Sequence, residues 1–209
     1  MLNVELIALI ASRICHDLVS PVGAIANGIE ILGEDPDDEA IREQALDLIS
    51  ASALQASRRL SYCRLALGAG GGPAAMLDTV DVVRTATELL EGGRVSLDWR
   101  DAPPSLPRNI VKVTLLFIMA GTDCLARGGR LSVSAVYSGE KWQIRVSANG
   151  DRLTIHPSLS AAIAGTLDLP EVDAKLAPTV YAGHLARERG GNAALVNSGG
   201  VLHLQAEMP

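Results

Sequence analysis

The chain has 209 residues, of which 48% are hydrophobic and 20% are charged, and its formal net charge is −6. This composition is typical of a globular protein with one or two domains and excludes a largely disordered chain. The excess of negative charge disfavours nucleic acid or an anionic membrane surface as the main partner, because both would repel an acidic protein.

Three cysteines, Cys15, Cys63 and Cys124, are far apart in the sequence and form no CxxC pair. This spacing predicts neither a zinc site nor a disulfide and fits a reducing compartment. The apolar segment LIALIA follows Glu5 without a basic region before it, so we expect neither a signal peptide nor a membrane span. We therefore expect a cytoplasmic protein.

The first part of the chain predicts a helical hairpin. Helices are predicted over residues 3–33 and 37–67, with GEDPDD between them, because glycine ends helices while aspartate and proline start them. The glycine-rich stretch LGAGGGP, residues 67–73, follows as a flexible linker. These features predict a helical hairpin domain over 1–68 and a second domain over 74–209.

The second domain alternates helical and strand patterns. Clean apolar–polar alternation predicts several strands, some of them joined by glycine turns as hairpins. The order of elements predicts an α+β fold, in which helices cover one face of a mixed sheet. The predicted helices are 79–91, 107–126 and 174–189, and the predicted strands are 95–99, 130–138, 141–148, 192–198 and 201–207.

Apolar residues recur on the first helix at steps of three and four from Ile7 to Leu32, as in a packed bundle. His16 lies about 160° from its neighbours on this stripe, so we expect it on the outer face. Periodicity alone does not distinguish it from an ordinary surface histidine. Pro21 removes the amide partner of the Asp17 carbonyl at a cost of about 3 kcal/mol, so we expect a loosened or kinked helix there. A costly defect beside an exposed histidine favours a functional site.

The chemistry open to His16 is narrow. No second histidine or cysteine stands at ligand spacing, so we expect no metal site, and no serine or cysteine nucleophile is evident for it to serve as a base. His16 itself therefore remains as the nucleophile. Asp17 would hold one ring nitrogen protonated while the other attacks, and Arg13 would offset charge on a transferred phosphoryl group.

The segment RICHDLVSPV, residues 13–22, resembles the H-box of sensor histidine kinases, in which an acidic residue follows the histidine and a proline stands five positions on. In that family two hairpins pair into a dimeric four-helix bundle, so the resemblance implies a homodimer. The unpartnered apolar stripe predicts the same pairing. The final segment, residues 181–209, resembles the last helix, Gly-Gly turn and hairpin of the kinase ATP-binding domain.

Residues that such kinases use for ATP are missing. Ala120, Gly121 and Thr122 stand near the position expected for the asparagine that holds Mg²⁺. In VSANGDR, Ala148 replaces the aspartate that recognises adenine and Arg152 replaces the second glycine of its loop. No glycine-rich lid follows in 151–175. Together these differences predict that the chain binds no ATP or other cofactor.

An H-box hairpin joined to a degenerate ATP-binding domain resembles the ChpT-type histidine phosphotransferases of alphaproteobacterial phosphorelays. The resemblance implies that His16 receives a phosphoryl group from the receiver domain of a hybrid histidine kinase and passes it to response regulators. Mg²⁺ is then expected on the receiver. Two alternatives stay open: a divergent histidine kinase that uses ATP, and a non-catalytic dimeric scaffold. Besides Arg13, helix 2 and the C-terminal domain, the expected docking residues are Leu9, Ser12, Val19, Ser20 and Gly23.

Overall fold

A computed structural model describes residues 4–34, 38–68, 72, 75–100 and 102–209. The helices α1 (Val4–Glu34) and α2 (Glu39–Leu67) pack against each other as the predicted hairpin. Asp38 caps α2, because its carboxylate accepts hydrogen bonds from the amides of Ala40 and Ile41. Residues 35–37 of the predicted turn and most of the predicted linker lie outside the described residues.

Small residues let α1 approach α2 closely. A Cβ atom added to Gly28 would lie 2.6 Å from Cγ1 of Ile49, so any larger residue would force Ile49 or the helices to shift. Pro21 is buried, and α1 continues through it without interruption. Contrary to expectation, α1 is long and apolar enough to cross a membrane. Length and composition alone are weak evidence for a membrane span, because core helices of soluble proteins and signal sequences meet the same criteria.

The remaining elements form a mixed five-stranded sheet with helices on one face, which confirms the α+β prediction. The strand order is β2-β4-β5-β7-β6, in which only the β2–β4 pairing is parallel. The short strands β1 and β3 pair separately, and these two strands and α5 were not expected from the sequence. The bounds are β1 (Met76–Asp78), α3 (Thr79–Leu90), β2 (Val95–Asp98), β3 (Ser105–Pro107), α4 (Arg108–Cys124), β4 (Gly129–Ser138), β5 (Lys141–Asn149), α5 (Leu159–Ala164), α6 (Ala177–Glu188), β6 (Asn192–Ser198) and β7 (Val201–Met208).

The helix α4 is the centre of the second domain. Its residues from Ile110 to Gly121 are all buried, since one side packs on the sheet and other sides meet neighbouring helices. The hairpin docks on this domain: Leu6 of α1 belongs to the same core, and the buried Tyr62 hydroxyl donates a 2.6 Å hydrogen bond to the carbonyl of Leu115. This docking brings the middle of α1 beside the C-terminal end of α4.

Candidate functional site

His16 stands on the open surface of α1. Its side chain is 85% exposed, as its position off the apolar stripe predicts. Its Nδ1 lies 3.4 Å from Oδ1 of Asp17, which is longer than a typical hydrogen bond. Asp17 is only 19% exposed, so a largely buried carboxylate lies beneath an exposed imidazole.

The other three histidines have structural partners. His203 shares a 2.8 Å hydrogen bond with Ser147 across two strands. His184 lies 3.1 Å from a glutamate one turn further along α6. His156 accepts a hydrogen bond from the amide of Ser158. These contacts explain three histidines as parts of the fold and leave His16 as the candidate for chemistry.

Arg13 lies in a different place from the one we expected. Its side chain is only 14% exposed, because this side of α1 faces α4 rather than the open surface. Its Nη1 and Nη2 donate to the two carboxylate oxygens of Asp123 at 2.9 and 3.1 Å, and its Nε donates to Oδ2 of Asp17 at 2.9 Å. Burial lowers the pKa of Arg13, but hydrogen bonds and charges from both carboxylates outweigh burial and raise the pKa above its ordinary value. The guanidinium is therefore a fixed positive charge between two carboxylates.

Asp17 is held by two cations. Arg13 donates a hydrogen bond to Oδ2 of Asp17. The Nη1 atom of Arg59, on α2, lies 4.0 Å from Oδ1. The Oδ1 atom also faces His16. Arg13 of α1 thus holds the carboxylate that adjoins the imidazole, and Arg59 of α2 adds a nearby positive charge.

A cavity of about 280 Å³ lies between the hairpin and the second domain, next to this network. Arg13, Asp17 and Asp123 line it, together with apolar side chains of α1, α3 and α4. His16 does not line this cavity and faces the outer surface instead. An exposed imidazole without an enclosing cavity fits a macromolecular partner better than a small substrate.

The predicted docking residues divide into two groups. Leu9 is half-buried and packs against the hydrophobic core, so the expectation that it is exposed beside His16 was wrong. The cause is the docking of the first turns of α1 onto the second domain. The others are exposed around His16: Ser12, Val19, Ser20 and Gly23.

The positions that correspond to the kinase ATP residues are closely packed. A Cβ atom on Gly121 would lie 2.8 Å from Cδ2 of Leu131 in the sheet. Ala148 is completely buried, and the Thr122 hydroxyl donates to the Ile118 carbonyl in its own helix. The cavity between α4 and residues 154–179 measures about 20 Å³, which holds about one water molecule.

A basic cavity at the end of the second domain was not found from the sequence. It measures about 750 Å³ and lies where β2, β4 and β5 meet their neighbouring turns. Four exposed arginines from three segments of the chain line it together with Asp151, which is why no local motif reveals them. Within the described ranges, no carboxylate lies within ion-pair distance of these side chains: Arg94, Arg127, Arg130 and Arg152.

Among the residues that the structure describes, no three His, Cys, Asp or Glu side chains are grouped so as to hold a metal ion. An exposed histidine on a helical hairpin, docked to a sheet domain, fits the class of histidine kinases and histidine phosphotransfer proteins that the sequence resembles. Comparison with known proteins agrees with this class.

The sequence model of the histidine phosphotransferase C-terminal domain matches residues 79–200. The protein phosphotransferase ChpT of Brucella abortus (strain 2308) is 37% identical over 186 residues, which cover 89% of this chain and 87% of that protein. The chain therefore belongs to the histidine phosphotransferase family, and the prediction of a phosphotransferase rather than a divergent kinase is confirmed.

Solved structures agree with the family and the fold. A bacterial phosphotransferase superposes with a TM-score of 0.83 at 33% identity, covering 99% of this chain and 98% of that chain. The histidine kinase ThkA, solved in complex with the response regulator protein TrrA, superposes with a TM-score of 0.50 at 16% identity. That match covers 95% of this chain and 60% of the other, and shows a likeness of fold alone.

Proposed function

We propose that this chain carries phosphoryl groups between receiver domains through His16. In the forward step Nε2 of His16 attacks the phosphorus of an aspartyl phosphate, so that a P–N bond forms while the P–O bond to the aspartate breaks. In the second step the carboxylate of another receiver attacks the phosphohistidine, and the P–N bond breaks. The observation that carries this proposal is the 85% exposure of the His16 side chain, which a bulky receiver can reach.

Asp17 is proposed to fix the ring of His16. Nδ1 of His16 lies 3.4 Å from Oδ1 of Asp17, and shortening this contact to a hydrogen bond would keep the proton on Nδ1 and leave the lone pair of Nε2 free to attack. Arg13 is assigned a positioning role instead of direct contact with the phosphoryl group, because its guanidinium already bridges Asp17 and Asp123.

The proposed partners are the receiver domain of a hybrid histidine kinase and response regulators. Ser12, Val19, Ser20 and Gly23 provide an accessible surface around His16. The arginine-lined cavity adds positive charge on the second domain, which suits an acidic partner surface. In this proposal Mg²⁺ is bound by the receiver, whose phosphorylated aspartate it would serve.

We infer that transfer needs no ATP. Ala148 stands at the position of the aspartate that recognises adenine in kinases; it is completely buried and has no polar side-chain atom that could bind the base. The close contact of Gly121 with Leu131 also leaves no space for the larger asparagine expected in a kinase.

The hairpin is proposed to pair with a second copy as a dimeric four-helix bundle. Large apolar side chains on both helices are about half exposed in a single chain, and pairing would cover them. A membrane location is disfavoured, because Arg13 and Asp17 lie near the middle of α1, where each charge costs about 3 kcal/mol in a bilayer. This favours a cytoplasmic dimer. The exposed side chains are Ile7, Val22, Ile29, Leu46, Leu54 and Leu60.

A transfer assay tests the proposed role of His16. A candidate receiver is labelled with ³²P by its kinase, purified away from that kinase and mixed with the wild-type chain, His16→Ala or His184→Ala. We expect label on the wild type and on His184→Ala but not on His16→Ala. Equal labelling of His16→Ala would assign the incoming phosphoryl group to another residue and refute the proposal.

A further inference from the structure

Asp123 occupies an electrostatically unfavourable position. It is the second-last residue of α4, where the partial negative charge of the helix end repels a carboxylate. Its side chain is 24% exposed, and both its oxygens accept hydrogen bonds from Arg13 of α1 at 2.9 and 3.1 Å. Such a two-point contact fixes the orientation of the guanidinium as well as its charge. An acidic residue at this helix end is therefore explained by its contact with the hairpin.

The contact continues from Arg13 to the candidate site. Nη1 and Nη2 of Arg13 donate to Asp123, so only Nε of Arg13 donates to Asp17. This bond goes to the Oδ2 oxygen. The other oxygen, Oδ1, is left facing Nδ1 of His16. The choice of oxygen thus depends on how the guanidinium is oriented, and Asp123 sets that orientation.

We propose that Asp123 is a positioning residue for phosphoryl transfer at His16, acting through Arg13 and Asp17. This inference rests on the proposed function. Without the Asp123 carboxylate, Arg13 is free to form a two-point ion pair with Asp17 one turn away, which would occupy both oxygens. The Oδ1 oxygen is then shared between the guanidinium and Nδ1–H of His16, so its contact with the imidazole weakens. A larger share of the imidazole carries its proton on Nε2, where it blocks attack.

The consequence concerns the role of the second domain. In this arrangement the C-terminal end of α4 controls the tautomer of a histidine on another domain. The domain that resembles a kinase ATP-binding domain therefore contributes to reactivity, besides any contact that it makes with a receiver.

The test uses the full chain with Asp123→Asn, Asp123→Glu and a matched control, Asp81→Asn. Asp81 also pairs with an arginine, Arg84, but within α3 and 66% exposed. Two quantities are measured: the rate of transfer from a ³²P-labelled receiver, and the His16 tautomer by ¹H–¹⁵N correlation of the imidazole at a pH where it is neutral. We expect Asp123→Asn to slow transfer about tenfold and lower the share of the Nδ1–H form. Asp123→Glu should restore both quantities in part, and Asp81→Asn should change neither.

Two results would overturn the inference: wild-type transfer by Asp123→Asn, or slower transfer with an unchanged tautomer ratio. Circular dichroism establishes that each variant is folded. Should Asp123→Asn fail to fold, Arg13→Lys replaces it, because one ammonium group lacks the planar fork that orients the two carboxylates. The same tautomer shift is expected there, and its absence would equally refute the inference. His16→Ala in the same assay tests the proposed function separately, since its full activity would refute that function whatever Asp123 does.

Discussion

His16 and Arg13 stand three residues apart on one helix and lie in opposite surroundings. The first side chain is 85% exposed, whereas the second is 14% exposed. Three residues correspond to about 300° of rotation, so the two side chains point about 60° apart. That angle is enough for α4 to cover one of them and leave the other open.

The outward position of His16 could be predicted from the sequence, but the burial of Arg13 could not. Helical periodicity places a residue relative to its own helix and contains no information about a second domain. The partner of Arg13, Asp123, is 110 residues away in the chain. Leu9 was misplaced for the same reason, since the surface that covers it belongs to the second domain.

At the residue scale we expect the Tyr62 hydroxyl to stabilise the docking of the hairpin. Its hydrogen bond to the Leu115 carbonyl is 2.6 Å long and completely buried. Tyr62→Phe should lower the free energy of unfolding by about 1 kcal/mol, because the carbonyl loses its buried donor. Tyr137→Phe is the control, since Tyr137 is 60% exposed, and it should change stability little. Urea denaturation measures both; equal stability of Tyr62→Phe and wild type would contradict this account.

At the element scale, α1 presents three different faces. One packs on α2 and the second domain, one surrounds His16, and one carries exposed apolar residues such as Ile7, Val22 and Ile29. In the sequence, the exposed apolar face and the face that packs on α2 form a single apolar stripe. In the structure this stripe divides, because Ile14 and Leu18 are half-buried while Val22 is 54% exposed. One part of the apolar stripe therefore packs within the chain, and the other part stays exposed. Periodicity alone did not distinguish these two parts.

Two glycines of α1 provide a matched test of these faces. A Cβ atom at Gly28 would lie 2.6 Å from Ile49 and 3.2 Å from the carbonyl oxygen of Ala45, whereas one at Gly23 meets nothing within 4 Å. Gly28→Ala should lower the free energy of unfolding by about 1–3 kcal/mol through overpacking. Gly23→Ala should raise it by up to about 1 kcal/mol, because alanine favours the helix. Thermal and urea unfolding measure both, and a stabilising Gly28→Ala would contradict the hairpin packing.

Local pattern predicted most of the second domain, but not its short elements. The hairpin β4–β5 and the helix α4 agree with the sequence to within a few residues, because alternation and glycine turns define them. The three-residue strands β1 and β3 are too short for any periodicity, and they form only because the chain brings them together. The arginine-lined cavity could not be predicted from local pattern either, since its residues come from separate segments of the chain.

At the scale of the whole molecule we expect a homodimer that depends on the exposed apolar face of the hairpin. Light scattering after size exclusion should give about twice the 21.9 kDa mass of one chain for the wild type. Val22→Glu should give a monomer, because a buried unpaired carboxylate opposes pairing. Val80→Glu is the control, since Val80 is 73% exposed but lies on α3. A monomeric wild type, or an unchanged dimer in Val22→Glu, would refute the proposed bundle.

Charge reversal tests the basic cavity as part of the receiver surface. Arg127→Glu combined with Arg152→Glu should slow transfer from a phosphorylated receiver at low salt, and the difference from wild type should shrink as salt screens the charges. Arg84→Glu, an exposed arginine on α3, serves as the control. Unchanged transfer by the double variant at low salt would exclude this cavity from docking.

The central claim is that His16 receives its phosphoryl group from a receiver and not from ATP. The most direct measurement incubates the purified chain with Mg²⁺ and γ-³²P-ATP in one arm, and with a kinase-free ³²P-labelled receiver in the other. We expect no label from ATP alone. From the receiver we expect an acid-labile, alkali-stable label that His16→Ala abolishes. Label transferred from ATP to His16 without any other protein would contradict the account and identify an active kinase.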